Sequence, residues 1–160
     1  NGCDETGFIA INRAIMAAGA KLIVVSREVG LVNAWNGSGW GMSYPVDATL
    51  STALAIDYDG LIIPTGKRHI DKLENDAHAK RVLRAFLRED MPVLIQGDAT
   101  ALLQIVNGAA DRPHARASEA GGAPVVDGRL VTTGMANDDL AELEVFDAAV
   151  GSVVNESCAA

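Results

Sequence analysis

Few residues in this chain have the type and spacing to do chemistry. A thiol and a carboxylate stand side by side near the start, Cys3 and Asp4, and a second carboxylate, Asp98, follows a Gln96-Gly97 step. The two cysteines, Cys3 and Cys158, lie at opposite ends of the sequence without CxxC spacing or a nearby histidine, so neither a zinc site nor a disulfide framework is signalled. Cys3 suits a small buried thiol better than a displaced nucleophile. Cys158 belongs to the polar tail VNESCAA. His78 and His114 show no ligand spacing and read as surface residues. Trp35 and Trp40 flank a Gly/Ser loop and suit either a ligand cleft or packing against a partner subunit. Asp98 by itself is expected to cap a helix that begins at Ala99 or Thr100, a place worth ~1 kcal/mol to an aspartate.

The elements that must position these residues are legible from periodicity. Phe8, Ile11, Ile15 and Ala18 recur at helical spacing and Gly19 supplies a stop, which predicts an amphipathic helix over residues 5 to 18. Lys21 to Val25 (KLIVV) is a short apolar, β-branched run of the kind buried in parallel sheets. Residues 30 to 48 are glycine-rich and read as an irregular excursion with Asn36-Gly37 as a hairpin turn. Asp59 to Pro64 predicts a second buried strand. A polar turn follows, then a helix with Ala79, Val82, Leu83, Phe86 and Leu87 on its apolar face. Pro92 to Ile95 predicts a third strand, which turns sharply through Gln96-Gly97-Asp98 into a short helix, TALLQIV. Val125 to Thr132 reads as a hairpin around Asp127-Gly128, and a last helix carries Leu140, Leu143 and Phe146. Strands alternating with helices predict a doubly wound α/β parallel sheet, with pockets outside the carboxyl ends of its strands.

Composition narrows the function classes. One domain of 160 residues can bury a core without staples, and 49% hydrophobic with 21% charged residues is ordinary for a globular protein. No apolar run approaches the ~18 residues of a membrane span. A net charge of −8 argues against a nucleic-acid partner, which needs a basic footprint to displace counterions. The basic stretch Lys80, Arg81, Arg84, Arg88 carries its own acid partners in Glu89 and Asp90. No cofactor is signalled, and the cysteine usage fits a reducing cytoplasm. The chain opens on Asn1 rather than methionine, so a fragment of a longer protein is expected.

The order of these signals resembles the ThiJ/PfpI superfamily, whose fold is that of the class I glutamine amidotransferases. NGCDETGF is similar to the family's acidic motif after its first strand, GAKLIVVSREVGLV to its second strand and loop, YDGLIIPTG to the strand ending in a Pro-Gly-Gly turn, and EAGGAPVVDGRLVTTG to the hairpin before the last helix. The resemblance implies a flavodoxin-like, three-layer sandwich. Active members carry a cysteine, usually followed by histidine, on a strained elbow at a helix N-terminus, where the helix dipole and a nearby acid favour thiolate. Here those positions are Gly97 and Asp98, and Asp4 stands where the family has glutamate. MPVLIQGDATALL is also similar to the C-terminal flavodoxin-like domain of large-subunit haem catalases, regarded as non-catalytic; nothing here resembles a haem-binding core.

The resemblance places Gly97, Asp98, Ala99, Thr65 and Gly66 around one pocket, with Thr65-Gly66 where the family supplies oxyanion donors and Lys67, Arg68 and His69 at the rim as an anion site or a solvated turn. It also sets Asp4 opposite Asp98, where two carboxylates can share a proton or hold a cation. Two readings result. One is a non-catalytic domain kept for structure, assembly or ligand binding, as a homo-oligomer or beside a partner domain. The other is a redirected hydrolase or lyase using Asp4 and Asp98, or Cys3. The resemblance further implies that a buried strand precedes NGCDETGF and lies between Lys21–Val25 and Asp59–Pro64. Without it, two rows of backbone groups lack partners, each costing roughly 1–3 kcal/mol when buried. The strand is then expected from residues upstream of Asn1, from a neighbouring chain or from another segment of this one, and no ladder should join those two segments directly.

Overall fold

The computed structural model describes residues 1–106, 108–116, 123–134 and 141–159, with side chains described as far as residue 152. Helix α1 (Glu5–Ala17) starts where the Asp4 carboxylate accepts from the Gly7 N–H (2.7 Å) and stops at Gly19, whose φ of 75° is the left-handed conformation that ends helices. The chain then forms β1 (Val25–Ser26), the antiparallel pair β2 (Leu31–Trp35) and β3 (Trp40–Pro45), and β4 (Ala48–Thr49), which pairs in parallel with β1. Next come β5 (Leu61–Ile63), α2 (Lys67–Leu73), α3 (Ala77–Arg88) and β6 (Val93–Gln96). A 3-10 turn over Gly97–Thr100 leads into α4 (Ala101–Ile105), followed by β7 (Val125–Asp127), β8 (Leu130–Thr133) and α5 (Ala141–Ala159).

The main sheet has the order β5-β6-β8-β7, parallel except for the β7–β8 hairpin. Strand alternation sends side chains to two cores. Ile63, Val93, Ile95 and Leu130 face α2, α3 and α4, where Ile70, Val82, Leu83, Phe86 and Leu103 are buried against them. Leu94 and Val131 face the other way, onto Ile11 of α1 and Leu143 and Phe146 of α5. The result is a three-layer α/β sandwich with parallel strands, as expected. The hairpin around Asp127-Gly128 is also present. Leu140 lies outside the described residues.

Four expectations are corrected. Residues 30 to 48 are not irregular: their two strands pair from Leu31–Pro45 to Trp35–Trp40, with the Asn36 carboxamide oxygen accepting from the Ser38 and Gly39 N–H groups at the turn. The polar segment after β5 is helix α2, anchored by buried Ile70. His114 is half-buried rather than on the surface, its Nδ1 donating to the Arg112 carbonyl (2.7 Å). Of Lys21 to Val25, only Val25 belongs to a ladder. The physical reason for that last difference lies beside it.

Strand β1 pairs on one edge only, with β4, and β5 on one edge only, with β6; among the described residues no ladder joins β1 or residues 21–24 to β5. Between them is a cavity of about 690 Å³, lined in the sheet layer by Leu22, Val24 and Ile62 and from the helical layers by Ile11, Phe86 and Phe146. An apolar run becomes a ladder only where a neighbour supplies partners, and residues 21–24 have none on this side.

Candidate functional site

The site lies at the carboxyl ends of β5 and β6, where three backbone segments meet. The Asp4 N–H donates to the Thr65 carbonyl (2.9 Å), which ties the start of α1 to the end of β5. Gly66 closes that junction at φ 136°. A Cβ there would stand 2.8 Å from the Cys3 Cα, 2.8 Å from the Gly2 carbonyl oxygen and 2.9 Å from the Asp4 nitrogen, so only glycine fits. On the other side Thr65 meets Gly97, the first residue after β6. The structure therefore brings Cys3, Asp4, Thr65, Gly66, Gly97, Asp98 and buried Ala99 together.

The elbow has a left-handed backbone and no side chain. Gly97 has φ 51°, a conformation that glycine adopts without steric cost. A Cβ added to it would press on the Thr65 Oγ1, with the Thr65 Cβ at 3.0 Å and the Gly134 carbonyl oxygen at 3.4 Å. Buried Thr65 thus fills the volume into which an elbow side chain would project. The Thr65 Oγ1 also accepts from the Asp98 N–H (3.4 Å), the group that serves as an oxyanion donor at a nucleophile elbow. The Thr100 hydroxyl donates back to the Gly97 carbonyl (2.9 Å). Each of these elbow groups is satisfied internally.

The two carboxylates have different surroundings. Asp4 is spent on capping α1, and no hydrogen bond joins it to Asp98. Asp98 is exposed and, contrary to expectation, does not cap a helix: the 3-10 turn begins at Gly97 and α4 at Ala101, and neither start has a side-chain cap. Asp98 sits inside the turn instead of before it, so its carboxylate is not aimed at free N–H groups. Among the described residues no three His, Cys, Asp or Glu side chains cluster as metal ligands would.

Cys3 is buried at 8% exposure, and that burial pushes its thiol above the ordinary cysteine range, which disfavours thiolate. The rim residues are each engaged. Lys67 pairs with Asp71 (2.7 Å), and the Arg68 guanidinium lies 3.8 Å over the Trp35 ring. Trp35 and Trp40 pack edge to face on one another (centroids 5.4 Å). Burial pulls His69 down to about 4, so near neutral pH its uncharged ring donates Nε2–H to the Pro64 carbonyl (2.8 Å). One cation of the KRH triplet is thus paired, one is stacked, and the histidine is neutral near pH 7.

Sequence reasoning took Thr65 for its backbone alone and passed over a buried polar pair behind the elbow. There the Gln96 Nε2 donates to the Glu142 Oε1 (3.1 Å), while the Gln96 Oε1 has no partner among the described residues. A glutamine ending an otherwise apolar strand run, VLIQ, was the available signal for it.

A parallel α/β sandwich with a sharp glycine turn after its central strand is a flavodoxin-like fold. The chain matches the DJ-1/PfpI family over residues 1–145 and belongs to it. Among solved structures it is similar to Drosophila melanogaster DJ-1beta, at 18% identity and a TM-score of 0.77, covering 98% of this chain and 92% of that one. It is also similar to a ThiJ/PfpI domain protein from Brachyspira murdochii, at 16% identity and a TM-score of 0.71, covering 96% and 91%. A third likeness is to a two-domain protein from Anabaena variabilis with DJ-1/ThiJ/PfpI-like and ferritin-like domains, at 21% identity and a TM-score of 0.73. That match covers 96% of this chain but 45% of the Anabaena protein. No curated protein sequence matches the chain.

Proposed function

We propose that this chain is a non-catalytic DJ-1/PfpI domain with a structural, assembly or ligand-binding role, working in the cytoplasm beside a second copy or a partner domain. One observation carries the reading: Gly97 stands at the elbow, and Thr65 fills the space and takes up the N–H that a nucleophile there would use. The alternative chemistry is weakly supported, because Asp4 is a helix cap, Asp98 points to solvent and Cys3 is a buried thiol. The finer reading is that the domain is the C-terminal part of a large-subunit haem catalase. Support for it is the resemblance of MPVLIQGDATALL and the precedent of a relative in which the same fold is joined to another domain.

The test is turnover of small glyoxals, peptides and isocyanides by the chain and by its Asp98→Asn and Cys3→Ser variants. No rate above buffer is expected from any of the three. A measurable rate that either substitution abolishes would establish the redirected-enzyme reading instead.

A further inference from the structure

Asparagine precedes glycine at Asn1-Gly2, Asn36-Gly37 and Asn107-Gly108, and Asn107 lies outside the described residues. Such a pair can react with itself. The glycine nitrogen attacks the asparagine carboxamide, since no glycine side chain hinders the approach and the backbone there bends freely. Asn1-Gly2 is not arranged for this. Gly2 is buried, its N–H is held by the Asn33 carbonyl (2.7 Å), and the Asn1 Oδ1 accepts from the Asn33 N–H (2.7 Å).

Asn36-Gly37 has each part that the reaction needs. The pair sits at the tip of the β2–β3 hairpin, where residues 36 to 38 are all exposed. The Asn36 carboxamide oxygen accepts from the Ser38 N–H (3.1 Å), the Ser38 hydroxyl (3.1 Å) and the Gly39 N–H (2.9 Å). These donors polarise the carboxamide carbon and are already aimed at the charge that builds on the oxygen when that carbon becomes tetrahedral. Attacking and leaving groups are both unengaged: among the described residues neither the Gly37 N–H nor the Asn36 Nδ2 makes a hydrogen bond. Gly37 has φ 93°, and a Cβ there would meet nothing within 4 Å, so the attack takes place in open solvent.

We infer that the β2–β3 tip modifies itself at Asn36, whatever the elbow does. The Gly37 nitrogen loses its proton to solvent and bonds to the Asn36 Cγ. The Cγ–Nδ2 bond then breaks, and that nitrogen takes up a proton and leaves as ammonia. Water opens the resulting cyclic imide. Attack at Cγ leaves an aspartyl residue at position 36, and attack at the backbone carbonyl carbon leaves an isoaspartyl one. The net change is ammonia lost and water gained.

The two products act differently on the fold. An aspartyl carboxylate keeps the backbone and offers the same donors a charged acceptor. An isoaspartyl residue inserts a methylene between Trp35 and Trp40, which are partners in the ladder and pack edge to face at 5.4 Å. These are the chain's two tryptophans, so indole fluorescence reports this hairpin alone.

The test incubates the chain and its Ser38→Ala variant at neutral pH in ¹⁸O-labelled water, folded and unfolded in guanidinium chloride. Tryptic peptides are read by mass spectrometry, the label marking conversion that occurs during incubation. Conversion at Asn36 is expected to be about tenfold faster folded than unfolded, and about threefold slower in folded Ser38→Ala, a small share of the ~10²–10³ that one donor is worth in a closed active site. Conversion at Asn1 is expected to be at least about tenfold slower folded than unfolded, because its glycine amide must first be exposed by local opening. Tryptophan emission should shift in step with the isoaspartyl product and stay unchanged in Asn36→Asp. A folded rate at Asn36 equal to or below the unfolded rate would overturn the inference. So would a rate that Ser38→Ala leaves unchanged, or slows equally in denaturant, since the tip's donors would then play no part.

Discussion

The elbow after β6 and the cavity beside β5 lie on the same sheet and are opposites in packing. At the elbow there is no side chain and the space is filled: Thr65 occupies the volume over Gly97 and accepts the Asp98 N–H. At the cavity backbone edges stay unpaired around about 690 Å³. The difference teaches which gap a side chain can close. An elbow without a side chain is closed by a neighbour's hydroxyl, whereas an unpaired strand edge presents a row of N–H and C=O groups that no side chain can satisfy.

Core truncations sharpen this contrast most. Phe86, at 1% exposure against Val93 and Ile95, is expected to cost ~3–5 kcal/mol on Phe86→Ala. Leu22 already faces the cavity, so Leu22→Ala should cost under ~1.5 kcal/mol, since fewer packed neighbours are lost. Urea unfolding of both variants measures the difference, and equal losses would show that the cavity side is packed as tightly as the main sheet.

A pH titration probes the junction between the two regions, because His69 hangs on the Pro64 carbonyl at the end of β5. Its folded value of about 4 lies below the ~6.5 of an unfolded histidine. The unfolded chain therefore binds the extra proton first, so the stability contribution is complete above pH ~6.5 and is lost as pH falls toward 4. The loss is on the order of 2–3 kcal/mol, read as a drop in the urea midpoint that His69→Gln removes. The smallest effect is expected at Asp98. An exposed carboxylate that caps nothing should change stability by less than ~0.5 kcal/mol in Asp98→Asn, and a loss near 1 kcal/mol would restore the capping role.

Much of this was legible in the sequence because it depends on local pattern. The helical recurrence of Phe8 and Ile11, the aliphatic runs at Leu61–Ile63 and Val93–Ile95, and the glycine needed at 97 are one-dimensional signals. Residues 21–24 were overread because a ladder needs a partner strand, and among the described residues only Val25 of that run has one, in β4. The β2–β3 hairpin hid behind glycines and polar residues, since much of it is solvent-facing and carries little hydrophobic alternation. Asp98 misled because a capping residue is defined by where the helix starts: the 3-10 turn begins before it, at Gly97, and α4 only at Ala101. The role of Thr65 depends on a contact across 32 positions, between residues 65 and 97, which no spacing rule encodes.

The central claim is that Thr65 closes the elbow, and the most direct measurement is the alkylation rate of a single thiol installed there. In a Cys3→Ser, Cys158→Ser background, Gly97→Cys is compared with Gly97→Cys combined with Thr65→Gly, using iodoacetamide across pH 5 to 9. The account predicts a sluggish thiol in the first and a rate at least about tenfold higher in the second, where the space and the Asp98 N–H are released. Fast alkylation of Gly97→Cys with Thr65 intact, unchanged by Thr65→Gly, would contradict it.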